Sequence, residues 1–120
     1  MSKILIVEDN EMNMRLFSDL LKAKGYDVIQ CLDGRKALDV AKHEKPDLIL
    51  MDIQMPEISG LEVTSLIRQD PEIKDTKIVA VTAFAMKGDE QKIIDGGCNG
   101  YIAKPIAVAD FLNTVAGFLS

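Results

Sequence analysis

The chain has 120 residues, 48% of them hydrophobic and 28% charged, which suits a single compact domain and leaves no space for a second one. Its 14 Lys and Arg against 19 Asp and Glu give a net charge of −5, and with no basic patch to neutralise phosphates, no nucleic acid is expected as a partner. Only four apolar residues, Ile4 to Val7, precede the charged Glu8 and Asp9, so no signal peptide or membrane insertion is expected and the protein reads as cytoplasmic.

The first element is Ile4-Leu5-Ile6-Val7, apolar on successive residues as a strand covered by helices on both faces must be. A helix follows, with Asn10 as candidate N-cap, a stripe of Met12, Leu16 and Leu20 with Phe17 and Leu21, and Gly25 as its stop. Val28-Ile29-Gln30-Cys31 is a weaker strand whose polar residue suits a sheet edge. Ala37, Leu38 and Ala41 mark a second helix; His43 sits near its end, where a cation suits the helix dipole.

Pro46 bounds the next strand, Leu48-Ile49-Leu50-Met51, and Val63, Leu66 and Ile67 mark a third helix. After the break at Pro71 comes the strand Ile78-Val79-Ala80-Val81. The fourth helix, around Lys87 to Asp95, has Gly88 at its start, Gly96-Gly97 at its end and only Ile93 and Ile94 as apolar anchors, so loose packing is expected. Tyr101-Ile102-Ala103 reads as the second edge strand. The last helix carries Val108, Phe111, Leu112, Val115 and Leu119 on one face, with Asp110 in its first turn.

The six methionines are scattered and read as core filler. Cys31 and Cys98 lack metal or redox spacing and read as reduced, buried small hydrophobes. Alternating short apolar runs and helix-period segments predict an α/β fold: a doubly wound, flavodoxin-like parallel sheet of five strands in the order 2-1-3-4-5.

In such a sheet the ligand site lies outside the carboxyl ends of the strands. There the sequence puts Glu8, Asp9 and Asn10 after the first strand, Asp52 after the third, Thr82 after the fourth and Lys104 after the fifth. Three converging carboxylates would raise one another's pKa values, a cost that a divalent cation removes. The all-oxygen donor set points to Mg²⁺, with Mn²⁺ as the alternative ion. A cation together with the Lys104 ammonium would let this acidic site accept a phosphoryl group, and the Thr82 hydroxyl could donate to one of its oxygens. Singly, these residues read as helix caps, a loop hydroxyl and a surface charge; their coincidence at the ends of four strands does not.

The sequence resembles the receiver domain of bacterial two-component response regulators over essentially its whole length. The match rests on Glu8-Asp9, on Asp52 within Met51-Asp52-Ile53-Gln54-Met55-Pro56, on Gly60, on Thr82-Ala83 and on Lys104-Pro105. The stretches Val7 to Met14, Gln54 to Gly60 and Thr82 to Glu90 resemble single-domain members that control cell division and polarity.

The resemblance implies that Asp52 takes a phosphoryl group from a histidine of a sensor histidine kinase or histidine phosphotransferase. It implies a metal held by Asp9, Asp52 and the backbone carbonyl of Gln54, with Glu8 acting through water. Lys104 and Thr82 would bind the phosphoryl oxygens. Thr82 and Tyr101 would be the switch pair, small Ala83 leaving room for the threonine to move. A downstream signalling protein would read the face built from the fourth helix, fifth strand and last helix. Gln54 and Phe84 would flank the hydrolytic water, and the ring of Phe84 cannot orient it, so a long-lived phosphoryl state is expected. Lys104-Pro105 is expected to be cis. With the domain spanning residues 1–120, no effector domain is expected, and the output would be a change in protein binding rather than enzymatic turnover.

One rival is an enzyme, and a second, a flavin module, uses the same topology. A Mg²⁺-dependent phosphohydrolase with an aspartate nucleophile would place a second acid two residues on, where Gln54 stands and cannot serve. A flavin module would need a glycine- and hydroxyl-rich turn where Glu8, Asp9 and Asn10 stand. A receiver-like binding module that works without phosphorylation is the third alternative, opposed by the intact set Glu8, Asp9, Asp52, Thr82 and Lys104.

Overall fold

A computed structural model describes residues 2–83 and 89–120. Five strands, β1 (Lys3–Val7), β2 (Asp27–Cys31), β3 (Leu48–Asp52), β4 (Lys77–Thr82) and β5 (Gly100–Ala103), form one sheet in the order β2-β1-β3-β4-β5. Every pairing is parallel. The helices are α1 (Glu11–Ala23), α2 (Ala37–Glu44), α3 (Gly60–Arg68), α4 (Asp89–Asp95) and α5 (Val108–Leu119), with a 3-10 turn at Gly34–Lys36 before α2.

The continuous apolar runs are central because both their faces are covered: β3 is buried throughout, and β1 is buried from Ile4 onward. The polar-punctuated runs are the two edges, β2 and β5. One core layer places Leu5, Ile49, Ile78 and Ala80 against Ala37, Ala41, Val63 and Ile67. The other places Ile4, Leu48, Leu50 and Val79 against Phe17, Leu21, Phe111 and Val115. Phe17 and Phe111 stack across α1 and α5 with ring centroids 5.3 Å apart.

Helix ends follow the sequence signals. Asn10 Oδ1 accepts from the Asn13 N–H at 3.0 Å, and Gly25 leaves α1 with φ 89°. Gly97 turns the chain after α4 with φ 107°, a conformation glycine adopts without strain. Pro46 precedes β3, Asp110 lies in the first turn of α5 and His43 in the last turn of α2. Cys31 and Cys98 are free and buried.

The inward face of α1 differs from the predicted stripe. Met12 is 82% exposed and Leu16 43%, while Met14, Phe17, Ser18 and Leu21 are buried. Two apolar stripes run along this helix, 12-16-20 and 14-17-21; the core covers the second fully and, of the first, only Leu20 in part. Ser18 is accommodated within it because its hydroxyl accepts from Gln30 Nε2 at 2.8 Å. Met12 is therefore not core filler, although Met14 and Met51 are. Leu66 of α3, one position off buried Ile67, and Val108, at the start of α5, are likewise exposed.

Helix α4 begins at Asp89, and the predicted starting residues Lys87 and Gly88 lie outside the described residues. Of its two predicted anchors, Ile93 is buried and Ile94 is exposed. No helix among the described residues is long and apolar enough to cross a membrane.

Candidate functional site

Strand register brings the chemistry together. Val7 of β1 pairs with Met51 of β3, so Glu8 and Asp52 emerge side by side at the carboxyl edge; Thr82 of β4 pairs with Ala103 of β5, which puts Lys104 next to it. The Lys104 N–H donates to the Thr82 carbonyl at 2.8 Å, extending that pairing by one step. The Lys104-Pro105 bond is cis, as predicted.

Glu8, Asp9 and Asp52 each offer a carboxylate oxygen, and these atoms lie within 4.8 Å of one another. Glu8 and Asp52 are buried, whereas Asp9 stands at the exposed rim. Lys104 Nζ donates to Glu8 Oε1 at 2.7 Å and to Asp52 Oδ1 at 3.3 Å. Backbone groups add donors: the Asn10 N–H to Glu8 Oε2 at 3.3 Å and the Gln54 N–H to Asp52 Oδ1 at 3.2 Å. Thr82 is buried beside them at the end of β4.

These neighbours set the protonation. Burial pushes the Asp52 carboxyl up, the adjacent Glu8 carboxylate pushes it further, and the Lys104 ammonium only partly opposes them, so it rises to about 8. For Lys104, burial lowers the pKa, but the hydrogen bond it donates to Glu8 and the charges of Asp52 and Glu8 overcome it and hold the ammonium above its ordinary value. One ammonium among three carboxylates leaves the cluster short of positive charge. A hard divalent cation with oxygen ligands fits that deficit and this donor set.

The other predicted residues fall around this centre. Gln54 is in the loop after β3, its side chain exposed and its N–H tied to Asp52. Tyr101 is half-buried on β5 facing α4, where the Glu90 carboxylate raises its pKa by accepting from the phenol. Phe84 lies outside the described residues, while Ala83 is exposed at the end of β4.

Two contributors were not anticipated. A Cβ at Gly60 would sit 2.2 Å from the Asp52 carbonyl oxygen, so the start of α3 rests on the backbone of that residue. Gly60 stood out in the sequence, but nothing there signalled what it touches. Arg68, at the end of α3, donates to the carbonyls of Gly97, Lys74 and Thr76 and to Asn99 Oδ1, fastening the turn that leads from α4 into β5.

Comparison with known proteins agrees with this geometry. Residues 4–116 match the response regulator receiver domain family. The chain is 55% identical over 116 residues to the polar-differentiation response regulator DivK of Brucella anthropi, covering 97% of this chain and 94% of that protein. Among solved structures, the chemotaxis protein CheY4 of Vibrio cholerae superposes with a TM-score of 0.93 at 30% identity, over 99% of each chain. The receiver domain of the sensor histidine kinase PA1611 of Pseudomonas aeruginosa, solved with a magnesium ion coordinated in its active-site cleft, gives 0.90 at 33% identity, covering 98% of this chain and 97% of that one. The doubly wound sheet, the acidic cluster at its carboxyl edge and the match over residues 4–116 place this chain in the response regulator receiver domain family.

Proposed function

We propose that this receiver accepts a phosphoryl group on Asp52 from a phosphohistidine in a Mg²⁺-dependent reaction, and signals by changing which protein it binds. The observation that carries this reading is the meeting of three carboxylates within 4.8 Å, with the Lys104 ammonium between Glu8 and Asp52. A Mg²⁺ ion, or Mn²⁺ in its place, would be held by Asp9, Asp52 and the Gln54 carbonyl, with Glu8 acting through water. When bound, it supplies positive charge that offsets the incoming phosphoryl oxygens.

The chain's own residues do the rest. An Asp52 carboxylate oxygen attacks phosphorus, the P–N bond breaks, and the donor imidazole leaves with the electron pair. The carboxylate is a weak nucleophile, so positioning does most of the work. Asp52 is held by the Gln54 N–H on one side and by Lys104 on the other. Lys104, kept charged by Glu8 and Asp52, turns from them to the transferred oxygens, and Thr82 donates to one of these.

The switch pair Thr82 and Tyr101 would carry the change to the face of α4, β5 and α5. Exposed Ile94 and Val108 and half-buried Tyr101 give that face apolar surface for a downstream signalling protein. Neither Gln54 nor Phe84 offers a base at the positions flanking the hydrolytic water, which supports a long-lived phosphoryl state and removal by a partner phosphatase. Phe84→Glu is expected to shorten it. The 55% identity to a polar-differentiation response regulator, with 94% of that protein covered, supports a role in cell-division or polarity control.

Incubation with phosphoramidate, a small donor with the same P–N bond, tests the reading. Stoichiometric labelling in Mg²⁺ and none in EDTA is expected; sustained phosphate release with no labelled protein would instead indicate a phosphohydrolase.

A further inference from the structure

Seven residues, 53–59, link β3 to α3 and carry Gln54. Their path is fixed at two places where a side chain is missing. At the neck, the Gly60 N–H donates to the Ile53 carbonyl at 3.0 Å. A Cβ on Gly60 would lie 2.2 Å from the Asp52 carbonyl oxygen and 2.9 Å from both the Asp52 carbonyl carbon and the Ile53 Cα. All three are backbone atoms, so no rotamer change relieves the overlap. Gly60 is itself held from behind, because the buried Thr64 hydroxyl donates to its carbonyl at 2.9 Å.

At the outer turn the 3-10 segment before α2 leans on the same loop. A Cβ on Gly34 would come within 2.7 Å of Met55 Cε, the movable tip of a flexible side chain, and within 2.8 Å of Ile58 Cγ2, whose branched side chain has less freedom to give way. Asp33 fixes that segment by accepting from the Arg35 N–H at 2.9 Å. Gly34 and Gly60 are absent from the positive-φ glycines, so what each supplies is space and not an unusual backbone conformation.

We propose that Gly34 and Gly60 are positioning residues for the divalent-cation site: by letting the 53–59 loop close against the 3-10 turn and against the Asp52 backbone, they set where the Gln54 carbonyl and the Asp52 carboxylate stand. The inference rests on the Mg²⁺ reading above and adds to it the two residues that hold the ligand loop. Neither residue would touch the ion. They act through the loop, as outer-shell groups do when they orient ligands.

The test is calorimetric titration of the full chain, stripped of metal, with Mg²⁺. The variants are Gly34→Ala and Gly60→Ala, with Val115→Ala and Gly117→Ala as references. Val115 lies in the opposite core layer, so its truncation destabilises the fold without touching the loop, and a Cβ at Gly117 would meet nothing within 4 Å. Gly34→Ala and Gly60→Ala are expected to weaken Mg²⁺ binding about tenfold, while both references bind as the wild type does.

Wild-type affinity in Gly34→Ala and Gly60→Ala would overturn the proposal. So would an equal loss in Val115→Ala, which would make affinity a function of stability alone. Should Gly60→Ala fail to fold, the Gly34→Ala titration decides. Absence of Mg²⁺ binding in the wild type is a separate result, which defeats the Mg²⁺ reading itself.

Discussion

The Lys104 ammonium sits 2.7 Å from Glu8 and 3.3 Å from Asp52, so its shorter hydrogen bond goes to the neighbouring carboxylate rather than to the proposed phosphoacceptor. Glu8 is only 1% exposed, and Lys104 is the cation paired with it among the described residues. This lysine therefore neutralises part of the acidic pocket's charge. Lys104→Met would leave two buried carboxylates without that partner. In EDTA at pH 8 it should lose roughly 3 kcal/mol in urea unfolding.

Asp52 predicts a pH dependence of its own. Its folded-state pKa of about 8 exceeds the ordinary 3.8, so between these values the folded protein binds more protons than the unfolded chain. The group's contribution to stability therefore falls as pH rises through that window. Asp52→Asn, which cannot ionise, should gain stability relative to the wild type in EDTA as pH goes from 5 to 8, read as a growing difference in urea midpoints. Because cation binding displaces the Asp52 proton, Mg²⁺ affinity of the wild type should tighten over the same range. A flat affinity would contradict the assigned proton.

The observed face of α1 is tested by two substitutions on one helix. Phe17 is buried and stacked on Phe111, so Phe17→Ala should cost about 3–5 kcal/mol. Met12→Ser, at an 82% exposed position, should change stability by less than about 0.5 kcal/mol.

Arg68 predicts a local effect. Its guanidinium makes hydrogen bonds to Gly97, Lys74, Thr76 and Asn99, and a lysine cannot reproduce that fork. Arg68→Lys should lower stability by about 1–3 kcal/mol, with the largest loss of hydrogen-exchange protection at residues 96–100. Uniform loss across the sheet would contradict a local fastening role.

What could be read from the sequence followed from burial. A parallel strand covered on both faces must be apolar at every residue, so β1, β3 and β4 were legible as runs, and the sheet order then placed Glu8, Asp52, Thr82 and Lys104 together. The helix faces were less legible because α1 carries two apolar stripes, and only contact with the sheet decides between Met12 and Met14. Gly34 and Arg68 were invisible for another reason. What they touch, Met55 and Ile58 in one case and Gly97 and Asn99 in the other, is brought to them by the fold rather than by sequence spacing.

The most direct measurement is intact mass after incubation with acetyl phosphate and Mg²⁺, on the wild type and on Asp52→Asn. The account predicts one added phosphoryl group on the wild type, none on the variant and none on either protein in EDTA. An adduct on Asp52→Asn, or a wild type that stays unlabelled in Mg²⁺, would contradict it.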